Sequence, residues 1–251
     1  MGVGMTKYYQ AVSELIKKIY ENEQESISKA ADFLVEAVKQ DQIVHCIGPG
    51  GHSNMGVEEL FWRAGGLAMF NAILDAGTNL IHGAKRSNIV ERTPGYAKSV
   101  LDAYRVAEGE VIIIINAYGI NSMTIDTALE AKKRGLKTIG VSSTSFAQAV
   151  PLGHPARHPS GKNLYELVDV FINNHLPYGD AVVEFEGYPQ KVAPTSTIAN
   201  CFTLNLLVAT TVEKLLAEGI QPPVWVSANL PGGDEANKAL DEKYRPRIPH
   251  L

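Results

Sequence analysis

The sequence has few of the features that mark secreted, membrane-bound or disulfide-rich proteins. It contains only two cysteines, so a disulfide framework is excluded and a reducing compartment is expected. No apolar run reaches the roughly 18 residues that a membrane-spanning helix needs. The N-terminal stretch MGVGMTKYYQ also lacks the apolar core and cleavage site of a signal peptide. We therefore predict a cytoplasmic protein with no membrane partner.

Runs of basic residues are absent as well. The chain carries 23 lysines and arginines against 27 acidic residues, which gives a formal net charge of -4. A nucleic-acid-binding protein needs a concentrated basic face that displaces counterions from phosphates, and this sequence offers none. We predict no nucleic-acid partner, and any bound anion must occupy a local site.

The order of apolar segments predicts an α/β fold. Residues 7–39 have apolar side chains at helical spacing around a polar stretch, which predicts two helices, or one with a break near Glu25. Short β-branched runs then alternate with helical patterns, as in a parallel sheet covered by crossover helices. We predict strands at 43–47, 69–73, 111–116, 138–142 and 168–173. Strand 111–116 is apolar on both faces and should be central.

The predicted fold is therefore a three-layer αβα sandwich of flavodoxin-like type, with a central five-stranded parallel sheet. Predicted helices follow the strands at 54–64, 95–104, 122–134, 164–167 and 196–217. A short helix and a tail that packs on a neighbouring subunit are expected at the C-terminus. We divide the chain into an N-terminal helical extension, 1–40, and a main domain with its C-terminal tail, 41–251.

Three predicted loops stand where a parallel sheet binds ligands, at the carboxyl ends of strands that lead into helix N-termini. Each is rich in glycine, amide or hydroxyl groups. Capping and turn formation would explain one such loop, but three at successive strand ends favour a site for a small polyhydroxylated anion. The candidate ligand-binding residues are Gly50, Gly51, His52, Ser53 and Asn54 in the first loop, Asn116, Tyr118, Gly119, Asn121 and Ser122 in the second, and Ser142, Ser143 and Thr144 in the third.

Motifs for common cofactors and metals are missing. The loop GPGGHS has neither the GxGxxG spacing of dinucleotide-binding proteins nor the lysine of a Walker loop. Glu184 and Glu186 alternate with apolar residues and should share one face of a strand, but no HxxE or HExxH spacing accompanies them. We predict neither a cofactor nor a bound metal.

These elements and loops together resemble the sugar isomerase (SIS) domain. That family also has a helical lead-in, a GxGxS-like first loop, an SxSGxS-like loop after the central strand and a VSS loop after the next. The strings EELFWRAGG, HPSGKNLYELVD and VSANLPGGDE are most similar to an uncharacterised bacterial group of single-domain SIS proteins regarded as phosphosugar isomerases. The resemblance covers residues 8–248 approximately and implies a sugar or sugar-phosphate ligand.

The second loop departs from the SIS pattern in its donors. Family members use Ser-x-Ser-Gly to hold phosphate, whereas this chain has Asn116 and Tyr118 before Gly119. The backbone N–H groups and the helix dipole remain, so anion binding is still expected. The ligand is then a phosphate, another anion or an unphosphorylated sugar.

The resemblance also implies catalytic positions. An aldose–ketose isomerase needs a base that moves a proton between C1 and C2, and a second group that opens the ring. Glu58 and Glu59 are placed like the acidic catalytic residues of several SIS enzymes, and since only one can face the site, we favour Glu59. His82, beside Lys85, is the candidate second group, and His158 is a further ligand candidate.

The leading hypothesis is an aldose–ketose isomerase of a sugar phosphate or other anionic sugar, working through an enediol(ate) as a homodimer or homotetramer. Two alternatives belong to other classes. One is a non-catalytic sugar-phosphate-binding sensor, and the other is a lyase or etherase of SIS type.

Overall fold

The computed structural model describes residues 2–251 and confirms the predicted α/β architecture. The strands of the main sheet are β1 (Val44–Ile47), β2 (Phe70–Ile73), β3 (Val111–Ile115), β4 (Lys137–Ser142) and β5 (Val170–Asn173). They are all parallel and have the order β2-β1-β3-β4-β5. As predicted, β3 lies in the centre, and all its residues are buried.

Helices flank both faces of the sheet. Their bounds are α1 (Val3–Asn22), α2 (Gln24–Lys39), α3 (Asn54–Leu60), α4 (Ala84–Glu91), α5 (Tyr96–Ala103), α6 (Ser122–Lys133), α7 (Thr144–Ala149), α8 (Ser196–Ala217) and α9 (Gly233–Tyr244). On one face, α2, α3 and α8 share a buried apolar cluster with the sheet. On the other face, α5 and α6 form a second cluster.

The two clusters explain why β3 is apolar throughout. Ile113 points into the cluster under α2 and α8, and Ile112 points into the cluster under α5 and α6. Alternate side chains of a strand face opposite sides of a sheet, so a strand covered on both sides needs apolar residues at every position. Such a run in the sequence is therefore a direct indication of a central strand.

The break predicted near Glu25 lies at Glu23, between α1 and α2. The Glu23 carboxylate accepts hydrogen bonds from Ser26 Oγ at 2.7 Å and from the Asn173 backbone N–H at 3.1 Å, and it pairs with His175 Nε2 at 2.7 Å. These bonds fasten the helix junction to the end of β5. α2 packs directly on the sheet, and the division of the chain at residue 40 stays a prediction.

Two predicted helices were too long. The helix predicted at 54–64 ends at Leu60, because Phe61 is extended and Trp62 has a φ of 51°, neither of which continues a helix. The segment 164–167 forms only a 3-10 turn, Leu164–Glu166.

Other elements were not predicted at all. They include α4, α7 and β7 (Tyr188–Pro194), which pairs in an antiparallel hairpin with β6 (Ala181–Phe185), the strand predicted around Glu184. The prediction that Glu184 and Glu186 share a strand face was wrong, because β6 ends at Phe185 and Glu186 lies in the following turn. Across residues 2–251, none of the helices has the length and apolar character needed to cross a membrane.

Candidate active site at the carboxyl edge of the sheet

A cavity of about 310 Å³ opens where β1 and β3 end. Its walls come from the loops after these two strands, from α4 and from the start of α8. This is the edge at which parallel α/β sheets bind ligands. Six of the predicted ligand-binding residues line it, namely Gly50, Gly51, His52, Ser53, Asn116 and Tyr118.

The first loop requires glycine because α4 and the turn before it press against its backbone. A Cβ atom on Gly50 would lie 3.0 Å from the carboxyl carbon of Glu91, and one on Gly51 would lie 2.5 Å from Leu80 Cδ2. The loop is held from inside by Asn54, whose Nδ2 donates to the Gly50 carbonyl at 3.0 Å. Asn54 therefore shapes the cavity without lining it.

Glu91, the last residue of α4, brings a carboxylate with unusual proton affinity to the cavity wall. Burial raises the pKa of Glu91 from 4.5 to about 7, while the charge of Arg92 and the backbone N–H of Gly51 act in the opposite direction. Burial dominates because a desolvated carboxylate is unfavourable in its charged form. A carboxyl group with this pKa exists in both protonation states at neutral pH, as a general base requires.

Asn116 connects the first and second loops. Its Oδ1 accepts hydrogen bonds from the backbone N–H groups of Tyr118 at 2.9 Å and Gly119 at 2.8 Å. Its Nδ2 approaches Ser53 Oγ at 3.4 Å. The Asn116 side chain thus holds the backbone of the second loop in place.

Tyr118 supplies a phenol that stays protonated. Its ring stacks on Phe146, with 3.8 Å between the ring centroids. Burial, followed by the negative charges of Asp180 and Glu91, raises the pKa of Tyr118 to about 12. At neutral pH this hydroxyl is a hydrogen-bond donor, with no charge of its own.

Asp180 also lines the cavity, and it caps α8. Its Oδ1 accepts the backbone N–H groups of Thr195 at 2.9 Å and Ser196 at 2.8 Å, and its Oδ2 accepts the Ser196 hydroxyl at 2.6 Å. The carboxylate neutralises the positive end of the helix dipole.

Replacing Asp180 by alanine is expected to lower the free energy of unfolding by about 2 to 3 kcal/mol, since buried donors at the start of α8 lose a charged acceptor. Urea denaturation would measure the loss. Glu186→Ala, which changes an exposed carboxylate in a turn, serves as the control with little effect. Equal stabilities of the two variants would contradict this role for Asp180.

The remaining second-loop candidates are buried beneath the segment 151–163. Asn121 Nδ2 donates to the Ala156 carbonyl at 3.0 Å, and the backbone N–H of Leu164 donates to the Gly119 carbonyl at 2.8 Å. Ser122 is 1% exposed. These residues therefore do not line the cavity.

The third-loop candidates make contacts within the fold. Ser142 is fully buried. Ser143 Oγ accepts the Phe146 backbone N–H at 3.2 Å, which caps α7, and donates to the Leu176 carbonyl at 2.7 Å. Thr144 Oγ1 accepts a hydrogen bond from Asn173 Nδ2 at 2.9 Å. Capping and loop fastening account for Ser143 and Thr144, whereas the buried Ser142 hydroxyl makes no hydrogen bond.

The residues that the family resemblance placed in catalysis also lie away from the cavity wall. Glu59 accepts a hydrogen bond from Asn205 Nδ2 at 3.0 Å and pairs with Arg63 at 3.4 Å, whereas Glu58 is exposed. His82 is exposed at the end of a 3-10 turn. His158 Nε2 lies 3.2 Å from Asp126 Oδ1. The roles of Glu59, Glu58, His82 and His158 stay predictions.

Sequence reasoning missed several lining residues. They are Ser87, Asn88 and Glu91 on α4, Asp180 before β6, and Ser196 and Thr197 on α8. The α8 start was visible in the sequence as a Thr-Ser cap, but nothing in the local pattern links it to Asp180. Within residues 2–251, no group of three metal-binding side chains is arranged as a metal site.

The parallel sheet, its helical cover and the cavity at the strand ends define a SIS-type α/β protein. Residues 7–143 match the family model described as the SIS domain, and the chain belongs to the SIS domain family. Its relatives are UPF0309 proteins. One from Caldanaerobacter subterraneus is 39% identical over 97% of this chain and 98% of its own length. Another, from Geobacillus thermodenitrificans, is 36% identical over 98% of this chain and 96% of its own length.

Solved structures of similar fold include two phosphoheptose isomerases. The protein from Francisella tularensis has a TM-score of 0.55 at 14% identity and covers 85% of this chain and 100% of its own. The protein from Neisseria gonorrhoeae has a TM-score of 0.53 at 14% identity and covers 84% of this chain and 97% of its own. Similarity at this level of identity establishes the shared fold.

Proposed function

We propose that this protein is an aldose–ketose isomerase that moves a proton between two carbons of a sugar through an enediol(ate). The observation that carries the proposal is Glu91, a carboxyl group with a pKa near 7 on the wall of a polar cavity at the strand ends. Membership of the SIS family and the phosphoheptose isomerases among the fold neighbours support a sugar as the ligand.

Four of the lining residues have roles in the proposed reaction. Ionised Glu91 removes the proton from the carbon beside the carbonyl and returns it to the neighbouring carbon. The negative charge that develops on the substrate oxygens is stabilised by neutral donors such as the Tyr118 hydroxyl and the Ser53 hydroxyl. His52, which also lines the cavity, assists proton transfer between the oxygens.

The family resemblance implies a sugar phosphate or another anionic sugar, and the proton transfer itself does not depend on that group. A homodimer or homotetramer in the cytoplasm stays part of the proposal. Loss of a leaving group in place of isomerisation would indicate a lyase or etherase.

The proposal is tested with a panel of aldoses and ketoses, with and without a phosphate, incubated with the purified protein. Chromatography would follow the conversion. At least one aldose–ketose pair is expected to interconvert, and Glu91→Gln is expected to stop it. Stable ligand binding with no conversion over long incubation would contradict the proposal and favour a sensor.

A further inference from the structure

Acceptors of the chain itself lie against three groups of backbone N–H donors at the cavity, and they accept hydrogen bonds from two of these groups. Such N–H groups are the usual anchors for a phosphate in α/β proteins. Here the Glu91 carboxylate interacts with the first loop, Asn116 Oδ1 binds the second loop, and Asp180 binds the start of α8. The N–H groups concerned belong to Gly51, Tyr118, Gly119, Thr195 and Ser196.

The charge of the cavity wall also opposes an anion. Glu91 and Asp180 both line it, and within residues 2–251 no lysine or arginine does. Lysine and arginine form strong charge-assisted hydrogen bonds with phosphate, and the serine hydroxyls that hold phosphate in the SIS pattern are replaced here by Asn116 and Tyr118. A phosphate dianion in this cavity would face two carboxylates with only neutral donors and the His52 imidazole to offset them.

The start of α6, where the family resemblance implies the phosphate cradle, is closed. Asn121 and Ser122 are 3% and 1% exposed. The segment 151–163 covers them, and the His158 backbone N–H donates to the Ile120 carbonyl at 2.8 Å. The helix N-terminus that would attract a phosphate is therefore inside the protein.

We propose that the cavity selects an unphosphorylated sugar over its phosphate ester. The inference rests on the proposed function, because it takes the ligand to be a sugar. The hydroxyl groups of a sugar donate to Glu91 and Asp180 and accept from Ser53 and Tyr118. The hydrogen-bond acceptors and the hydrogen-bond donors of the wall then all have partners, and no third negative charge enters the cavity.

Isothermal titration calorimetry with matched pairs, each an aldose or ketose and its phosphate ester, tests the inference, with inorganic phosphate as a further probe. At least one unphosphorylated sugar is expected to bind ten times more tightly than its phosphate. At pH 8, above the pKa of Glu91 of about 7, Glu91→Gln removes one negative charge from the wall and is expected to strengthen binding of the phosphate ester about tenfold. Glu186→Gln removes the same charge from an exposed turn outside the cavity and is the matched control.

The outcomes separate this inference from the isomerase proposal. Tighter binding of the phosphate ester to the unaltered protein, or the same gain in Glu186→Gln as in Glu91→Gln, would overturn the inference and leave the isomerase proposal standing. Tight binding of an unphosphorylated sugar without turnover would support the inference and contradict isomerisation. No binding by any sugar of the panel would contradict both.

Discussion

Glu91→Gln is expected to lower kcat/KM for isomerisation by about 10²- to 10⁴-fold, the range that general bases typically contribute. Glutamine keeps the shape and polarity of the side chain but cannot accept the carbon-bound proton. Initial rates at pH 8 on the sugar found in the panel would measure the loss. Glu59→Gln and Glu58→Gln, which change the residues favoured by the family resemblance, are the matched controls and are expected to retain most activity. A larger loss in Glu59→Gln than in Glu91→Gln would assign the base to α3.

The pH profile gives a second readout of the same prediction. The base form of Glu91 predominates above its pKa of about 7, so kcat/KM should rise with pH through neutrality. The charged and titratable groups around it are Arg92, Asp180, Tyr118 and His52. His52→Gln tests whether the imidazole causes the rise in kcat/KM. If Glu91 causes it, the rise near pH 7 should persist in that variant. A profile that is flat between pH 5 and pH 9, a window of about two units on either side of that pKa, would contradict the assignment.

Glu91→Gln is also expected to stabilise the protein at pH 8, by about 3 kcal/mol at 1.36 kcal/mol per pKa unit. The pKa of Glu91 is about 7 in the folded protein and 4.5 in the absence of burial. Above pH 7 both states are ionised, and the folded state carries the desolvated charge. Below pH 4.5 both states are protonated and this unfavourable contribution is absent. The contribution of Glu91 to the free energy of unfolding therefore falls as pH rises through this window.

Urea denaturation of the unaltered protein and Glu91→Gln, at pH 8 and again near pH 4, would measure the difference. The stabilisation should be large at pH 8 and close to zero in acid. Glu59→Gln again controls for net charge. Destabilisation by Glu91→Gln at pH 8 would mean that the ionised carboxylate contributes favourable contacts exceeding its burial penalty. Together with loss of turnover, stabilisation would identify Glu91 as a group kept for function at the expense of stability.

The sheet and one wall of the cavity followed from the sequence for physical reasons. A strand buried on both faces must be apolar at every position, which identified β3. The carboxyl ends of parallel strands meet at one edge, which placed Gly50, Ser53 and Asn116 together. These inferences depend only on local pattern and on the geometry of parallel sheets.

The other walls depend on tertiary contacts that have no local pattern. Glu91 reaches the cavity because α4 packs its last turn against the glycines of the first loop. α4 itself is a short helix with an exposed Ile89 and a buried Ser87, so it lacks the apolar face from which helices are recognised. Asp180 meets the start of α8 across the hairpin of β6 and β7.

The polar residues of the second and third loops show that residue type alone does not distinguish a ligand-binding side chain from a structural one. Ser143 and Asn121 are suited both to ligand binding and to capping or fastening a loop. The structure shows the second use for both, with hydrogen bonds to backbone groups of the chain. Only the burial of these side chains distinguishes the two uses, and burial is a property of the whole fold.

Solvent-deuterium exchange tests the central claim most directly. In D₂O, an enediol(ate) mechanism replaces the hydrogen on C2 of the sugar with deuterium, and proton NMR detects the loss of that signal. We predict exchange with an unphosphorylated sugar and the unaltered protein, and none with Glu91→Gln. Undiminished exchange in Glu91→Gln would contradict proton transfer by Glu91 in this cavity.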